Sequence, residues 1–211
     1  MSIDFSQLRH YLDSLVPARS ETMQEMEAYA REHRFPIIGP AAGYLCYQTA
    51  RMIQAKRIFE LGSGYGYSTA WFARAVQENG GGEVHHTVWD AELSEMARGH
   101  LRTLGYAGLV NYHVGEAVQT LRETEGPFDL IFNDIDKEGY PESLPVIADK
   151  LRAGGLLIID NMLMSGRIFD ESNQTAAVQG VRTFTKMITT SPEWIVSLVP
   201  IRDGLIVAYK R

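Results

Sequence analysis

Three short stretches of the chain concentrate side chains that can do chemistry. Asn133-Asp134-Ile135-Asp136-Lys137 sets two carboxylates close to an amine, and Asp160-Asn161 adds a carboxylate beside an amide. Oxygen donors of this kind suit a hard divalent cation, Mg²⁺ first and Mn²⁺ or Ca²⁺ after it. A lysine beside such a cation suits proton removal from a substrate. The same acids also suit a structural duty, because Asp134 or Asp136 can cap a helix starting near residue 138. The third stretch is Glu60-Leu61-Gly62-Ser63-Gly64-Tyr65-Gly66-Tyr67-Ser68. Its glycines allow a sharp backbone turn and close approach to a ligand. A dinucleotide fingerprint needs a third glycine where Tyr67 stands. Glu60 would repel a pyrophosphate and attract a cationic amino-acid head. The pattern therefore suits S-adenosylmethionine better than NAD, and a nucleotide-binding oxidoreductase is the weaker reading.

Elements that could bring these stretches together are legible in the spacing of apolar runs. Runs at 57–61, 84–89, 109–114, 128–132 and 156–159 alternate with helix-like segments at 67–78, 91–104, 116–123 and 138–151. Strands separated by helices of this length imply parallel βαβ units, an α/β fold with helices on both sheet faces. The fourth and fifth runs are almost wholly apolar, as central strands are. They should be neighbours or nearly so, which would bring Asp134, Asp160 and Asn161 together at the sheet edge. In such sheets ligands bind beyond the carboxyl ends of the strands. The tail changes rhythm: a helix near 174–190, then 194–199 and 205–209 joined by Pro200-Ile201-Arg202-Asp203-Gly204, which makes those two strands antiparallel. Residues 5–55 read as two or three helices broken near Pro17, Pro36 and Pro40. They would cover the sheet, a substrate mouth or a partner subunit. No linker divides the chain, so it reads as one domain, a helical cap over 1–55 and a Rossmann-like core over 56–211.

Composition narrows the function classes. The 211 residues are 45% hydrophobic and 22% charged with a net charge of −6, ordinary globular material and a poor match to a dedicated nucleic-acid binder. Cys46 is the single cysteine, so no internal disulfide or cysteine zinc site is possible, and a reducing compartment is implied. No run approaches the roughly 18 apolar residues of a membrane helix. The start, Met1-Ser2-Ile3-Asp4-Phe5-Ser6, lacks the basic-then-apolar layout of a signal peptide. The expectation is a cytoplasmic protein without membrane contact, paired with a second copy of itself.

With these residues in view, the chain resembles the class I S-adenosylmethionine-dependent O-methyltransferases of the catechol and caffeoyl-CoA type, bacterial members included. The resemblance runs from about residue 10 to the end. It rests on Gly39-Pro40-Ala41-Ala42-Gly43, the E-L-G-S-G-Y-G-Y-S loop and the D-I-D-K-x-x-Y segment ending at Tyr140. The L-R-x-G-G-x-L-I-I-D-N strand and the closing Pro200–Gly204 segment complete it. It implies a seven-stranded sheet with its last strand antiparallel. It also implies a divalent metal on Asp134, Asp160 and Asn161, with Lys137 as catalytic base working beside Asp134. Glu60, Gly62, Ser63, Gly64, Tyr67 and Ser68 would surround the methionine part of the cofactor, with Asp134 and Asp136 also in contact. The acceptor would be a small catechol-like phenol; some bacterial relatives instead methylate a hydroxylated wobble uridine in tRNA.

The chain departs from the family at the second strand. The acid that usually holds the ribose hydroxyls falls on Val88, with Trp89 next and Asp90 two residues on. Asp90 either takes over that contact or caps the helix from Ala91. Gly115-Glu116-Ala117 lies where the family meets the adenine edge, although Glu116 equally suits a solvated first helical turn. His85-His86 cannot share a cation, since neighbouring strand residues face opposite ways. Cys46 reads as core, and Met162-Leu163-Met164 as either an apolar wall for an aromatic acceptor or plain packing.

Overall fold

The computed structural model describes residues 5–211; the opening Met1–Asp4, part of the segment read above for a leader, lies outside them. Three helices come first, α1 (Phe5–Ser14), α2 (Glu21–His33) and α3 (Gly39–Met52). Pro40 opens α3 instead of breaking a helix, because the first-turn N–H has no intrahelical partner to lose. Then β1 (Arg57–Leu61), α4 (Tyr67–Glu78), β2 (Glu83–Val88), α5 (Ala91–Thr103), β3 (Val110–Val114), α6 (Ala117–Glu123), β4 (Phe128–Asn133), α7 (Tyr140–Lys150) and β5 (Leu151–Ile159) alternate as the spacing predicts. The chain closes with α8 (Ala176–Thr190), β6 (Trp194–Val199) and β7 (Leu205–Lys210).

The strands form a seven-stranded sheet in the order β3-β2-β1-β4-β5-β7-β6. Pairings among β1 to β5 are parallel, and β7 runs antiparallel to both β5 and β6. The strand β5 starts five residues before its apolar run. Arg152-Ala153-Gly154-Gly155 hides that start from a reading by hydrophobicity, and the pairing with β4 shifts register there.

Residues alternate between the two faces of the sheet, as the two-residue side-chain period requires. Ile58, Leu130, Phe132 and Ile158 join a core with α2, α3 and α4, whereas Phe59, Ile131, Leu157 and Ile159 join a second core with α6, α7 and α8. Each such fully buried side chain contributes about 1.5–3 kcal/mol. This double burial holds the carboxyl ends of β1, β4 and β5 rigidly side by side. Among the described residues no helix is long and apolar enough to cross a membrane.

Candidate functional site

The glycine loop follows β1 directly and opens α4, whose first residue is Tyr67. Gly62 has φ +87°, and a Cβ there would stand 2.6 Å from the Asp134 carbonyl oxygen, so only glycine lets the β1 and β4 ends close up. Ser63 ties the loop to β2 twice: its N–H donates to the Thr87 carbonyl at 2.9 Å and its Oγ accepts from the Thr87 N–H at 3.0 Å. Tyr65 and Tyr67 reach the other way, to the Met26 carbonyl and to Glu27 on α2, each at 2.9 Å.

A cleft of about 300 Å³ lies above the loop, at the lower end of the range for small-molecule sites. Its walls include Gly62, Ser63, Gly64, Tyr67, Ser68, Asp90, Gly115, Ala117, Asp134 and Asp136. Apolar surface comes from Val88, Leu93, Ala117 and the Phe35-Pro36-Ile37-Ile38 segment before α3. That segment, with Trp89 and Leu93, was not singled out from the sequence. The break at Pro36 was its only signal.

Glu60 and Glu116 do not line this cleft. Glu60 is 0% exposed beneath the loop, and neither carboxylate oxygen has a hydrogen-bond partner of good geometry. Burial pushes its carboxyl up to about 7; the Ser68, Thr69 and Ser63 hydroxyls oppose the rise and the Asp134 charge adds to it. Glu116 caps α6, accepting from the N–H groups of Val118 (3.0 Å) and Gln119. Asp90 caps α5 through the N–H groups of Glu92 (2.7 Å) and Leu93 (3.2 Å), and it also lines the cleft.

The acids at the ends of β4 and β5 come together by register. Asn133 pairs with Ile159, so Asp134 and Asp160 are the next residues on adjacent parallel strands. Neither Asp134 nor Asp136 caps a helix with its side chain. Lys137 Nζ instead donates to Asp134 Oδ1 at 2.7 Å and to the Ile135 carbonyl at 3.0 Å. The Lys137 backbone is fixed by α8: a Cβ on Gly180 would stand 2.1 Å from the Lys137 carbonyl oxygen. Tyr140, buried, donates to the Asp160 carbonyl at 2.8 Å.

Asp160 is fully buried. Burial raises its carboxyl to about 6, the Asp134 charge adds to that, and the Arg202 guanidinium opposes it. Arg202 Nη1 donates to Asp160 Oδ2 at 2.6 Å, while Asp160 Oδ1 accepts from the Asn161 N–H at 2.7 Å. A turn arginine reaching across to β5 has no signature in sequence. Met162 and Met164 are buried in the second core and pack there. His85 meets His113 at 3.0 Å and His86 meets Thr69 at 3.1 Å, on opposite faces of β2. Cys46 is buried and free.

Comparison with known proteins identifies the family of this chain. The chain is 31% identical to a catechol O-methyltransferase of Niastella koreensis, over 97% of this chain and 96% of that one. It is 33% identical to a catechol O-methyltransferase of Mycobacterium tuberculosis, over 84% and 81%. The solved structure of the O-methyltransferase TomG from Streptomyces achromogenes, in complex with SAM, superposes with a TM-score of 0.87 at 29% identity, covering 100% of this chain and 99% of that one. An O-methyltransferase from Bacillus cereus in complex with SAH gives 0.87 at 25% identity over 97% of each. The O-methyltransferase family model itself matches residues 15–211, and the chain belongs to that family.

Proposed function

We propose that the chain transfers the methyl group of S-adenosylmethionine to a hydroxyl of a small catechol-like phenol, with a divalent cation held by Asp134, Asp160 and Asn161. The observation that carries this reading is the double role of Asp134, which lines the cleft and bonds Lys137 next to Asp160. The cleft fits a ligand with an apolar base and a cationic head: Val88, Leu93 and Ala117 face one part, and Asp90, Asp134 and Asp136 rim the rest. The ion site fits by its chemistry, since two carboxylates on neighbouring strand ends and the adjacent Asn161 amide offer the hard oxygen donors that a divalent cation prefers. Exposed Tyr11 on α1 and Leu15 just after it offer apolar surface for the homodimer, and the free buried thiol suits a reducing cytoplasm.

In this mechanism Asp134 orients Lys137, and Lys137 Nζ in its neutral amine form takes the proton of the reacting hydroxyl and becomes an ammonium paired with Asp134. The apolar cleft walls exclude water while charge on the donor and acceptor is neutralised. When bound, S-adenosylmethionine would supply the sulfonium methyl, and a cation held by Asp134, Asp160 and Asn161 would lower the pKa of the acceptor hydroxyl.

Dialysis against a chelator should abolish turnover, and added Mg²⁺ should restore it; full activity with no metal by elemental analysis would defeat the ion site. A methyl-transfer screen of catechols, caffeoyl esters and bulk tRNA tests the acceptor class, with transfer to tRNA alone rejecting the phenolic reading. Asp90→Ala distinguishes a ribose contact from a cap. A lost hydrogen bond to a charged group weakens cofactor binding by about ten- to a hundredfold, whereas a lost cap costs about 1 kcal/mol of stability and spares affinity. We expect both effects, because Asp90 caps α5 through one carboxylate oxygen, Oδ1, and lines the cleft. Calorimetric titration alongside a melting curve measures them.

A further inference from the structure

The turn between β6 and β7 grips two of the three proposed ion ligands. Arg202 Nη1 donates to Asp160 Oδ2 at 2.6 Å, with the arginine side chain 18% exposed and the carboxylate 0%. The next residue, Asp203, accepts from Asn161 Nδ2 at 3.2 Å and from the Ser165 N–H at 2.6 Å. The backbone of the turn is stapled to the same loop, with the Leu163 N–H on the Asp203 carbonyl at 2.8 Å and the Met162 N–H on the Gly204 carbonyl at 3.0 Å. Arg202 itself has φ +52°, a left-handed backbone that favours glycine. A long cationic side chain kept at such a position is held there by what it contacts.

Both oxygens of Asp160 are therefore engaged, one by the Asn161 N–H and one by a guanidinium. A divalent ion on Asp160 would sit beside the Arg202 guanidinium on a fully buried carboxylate, and two cations on one carboxylate repel each other strongly where water is scarce. We propose that Arg202 is a built-in counter-cation of Asp160, which a divalent ion must displace in order to bind. This rests on the reading that Asp134, Asp160 and Asn161 form the ion site. An alternative acid lies in the crevice that Arg202 lines. Arg202 shares it with Asp13 and Arg9 of α1, and Asp13 Oδ1 accepts from the Ala41 N–H at 3.1 Å. Ion entry then exchanges one carboxylate partner of Arg202 for another, and the metal affinity of this chain is set by how readily Asp160 gives up its arginine.

The test is a Mn²⁺ titration of metal-free protein, followed by electron paramagnetic resonance and by calorimetry, on wild type, Arg202→Gln and Arg202→Gly. The glycine variant suits the left-handed backbone, and the glutamine variant keeps much of the side-chain bulk. Both should bind Mn²⁺ at least about tenfold more tightly than wild type, the scale of a hydrogen-bonded ion pair no longer broken. Both should also melt lower than wild type without metal, because Asp160 is left buried and unpaired, and should gain more from saturating Mn²⁺. Equal or weaker binding by the variants overturns the role of Arg202 while wild-type binding upholds the ion site. Absence of binding by all three proteins overturns both.

Discussion

Replacing Lys137 by alanine should lower the rate of methyl transfer by about 10²–10⁴-fold, the usual cost of losing a general base. Binding of S-adenosylmethionine should change little, because Lys137 is absent from the cleft wall while Asp134 is part of it. The side chain makes two bonds, to Asp134 Oδ1 and to the Ile135 carbonyl, and its Nζ lies 5.1 Å from the centre of the Tyr140 ring. These contacts hold the amine at the β4 end with Asp134 as its partner. Removing it leaves Asp134 without that partner at a partly exposed position, so a modest loss of stability accompanies the kinetic effect. The comparison that decides is single-turnover methyl transfer against calorimetric cofactor affinity. A fall in both by the same factor would make Lys137 a binding residue, and an unchanged rate would remove it from the chemistry. Lys137→Arg is informative as well: guanidinium retains the bond to Asp134 yet cannot give up a proton near neutral pH. It should therefore be as slow as alanine while keeping the melting point.

How far the site could be read from the sequence depended on whether local spacing or long-range packing decides each contact. The approach of Asp134 to Asp160 follows from two apolar runs read as central strands that are neighbours or nearly so, and the pairing of Asn133 with Ile159 makes them adjacent. The glycine loop is local, so its geometry is fixed by residues next to one another. Glu60 was harder. Its place before the loop suggested a ligand contact, but β1 is buried on both faces, so Ile58 to Leu61 all point into the protein. The start of β5 was hidden by Gly154-Gly155, because short polar or glycine-rich strand segments carry no hydrophobic period. Arg202 was invisible for a different reason: its partner lies 42 residues away, and a turn arginine looks solvated until the sheet order places the turn beside Asp160. The helix cap at Asp90 was legible as one alternative, since capping needs only the next two or three residues, whereas Glu116, read as either an adenine contact or a solvated first-turn residue, caps α6.

Glu60 should make the stability of the free protein fall as pH rises through neutrality. Its carboxyl, ordinarily near 4.5, is pushed by burial to about 7 in the fold, against the pull of the surrounding Ser68, Thr69 and Ser63 hydroxyls. Below about pH 4.5 the group is protonated both folded and unfolded, and it costs nothing. Between there and about 7 the folded chain keeps a proton that the unfolded chain has released, so stability drops with each step in pH. Above 7 the cost is complete, on the order of 3 kcal/mol for a shift of this size. Asp160, also raised by burial, slopes the same way; buried His86, held near 3, acts in the opposite direction on the acid side of its ordinary 6.5. The quantity to measure is therefore a difference between two proteins. Urea melts of wild type and Glu60→Gln from pH 5 to 8 should show the wild type losing stability across that window by about the stated amount more than the variant. The amide keeps the shape and can bond the same hydroxyls without a charge. Parallel curves would mean that Glu60 is already ionised in the fold. Cofactor affinity gives the second half of the test. If the carboxylate also answers the cationic head of S-adenosylmethionine through the loop, wild-type affinity rises with pH through 7 and that of Glu60→Gln stays level. If affinity is level in both, Glu60 acts only on the loop above it, and the cofactor's ammonium group is met by Asp134 and the loop backbone.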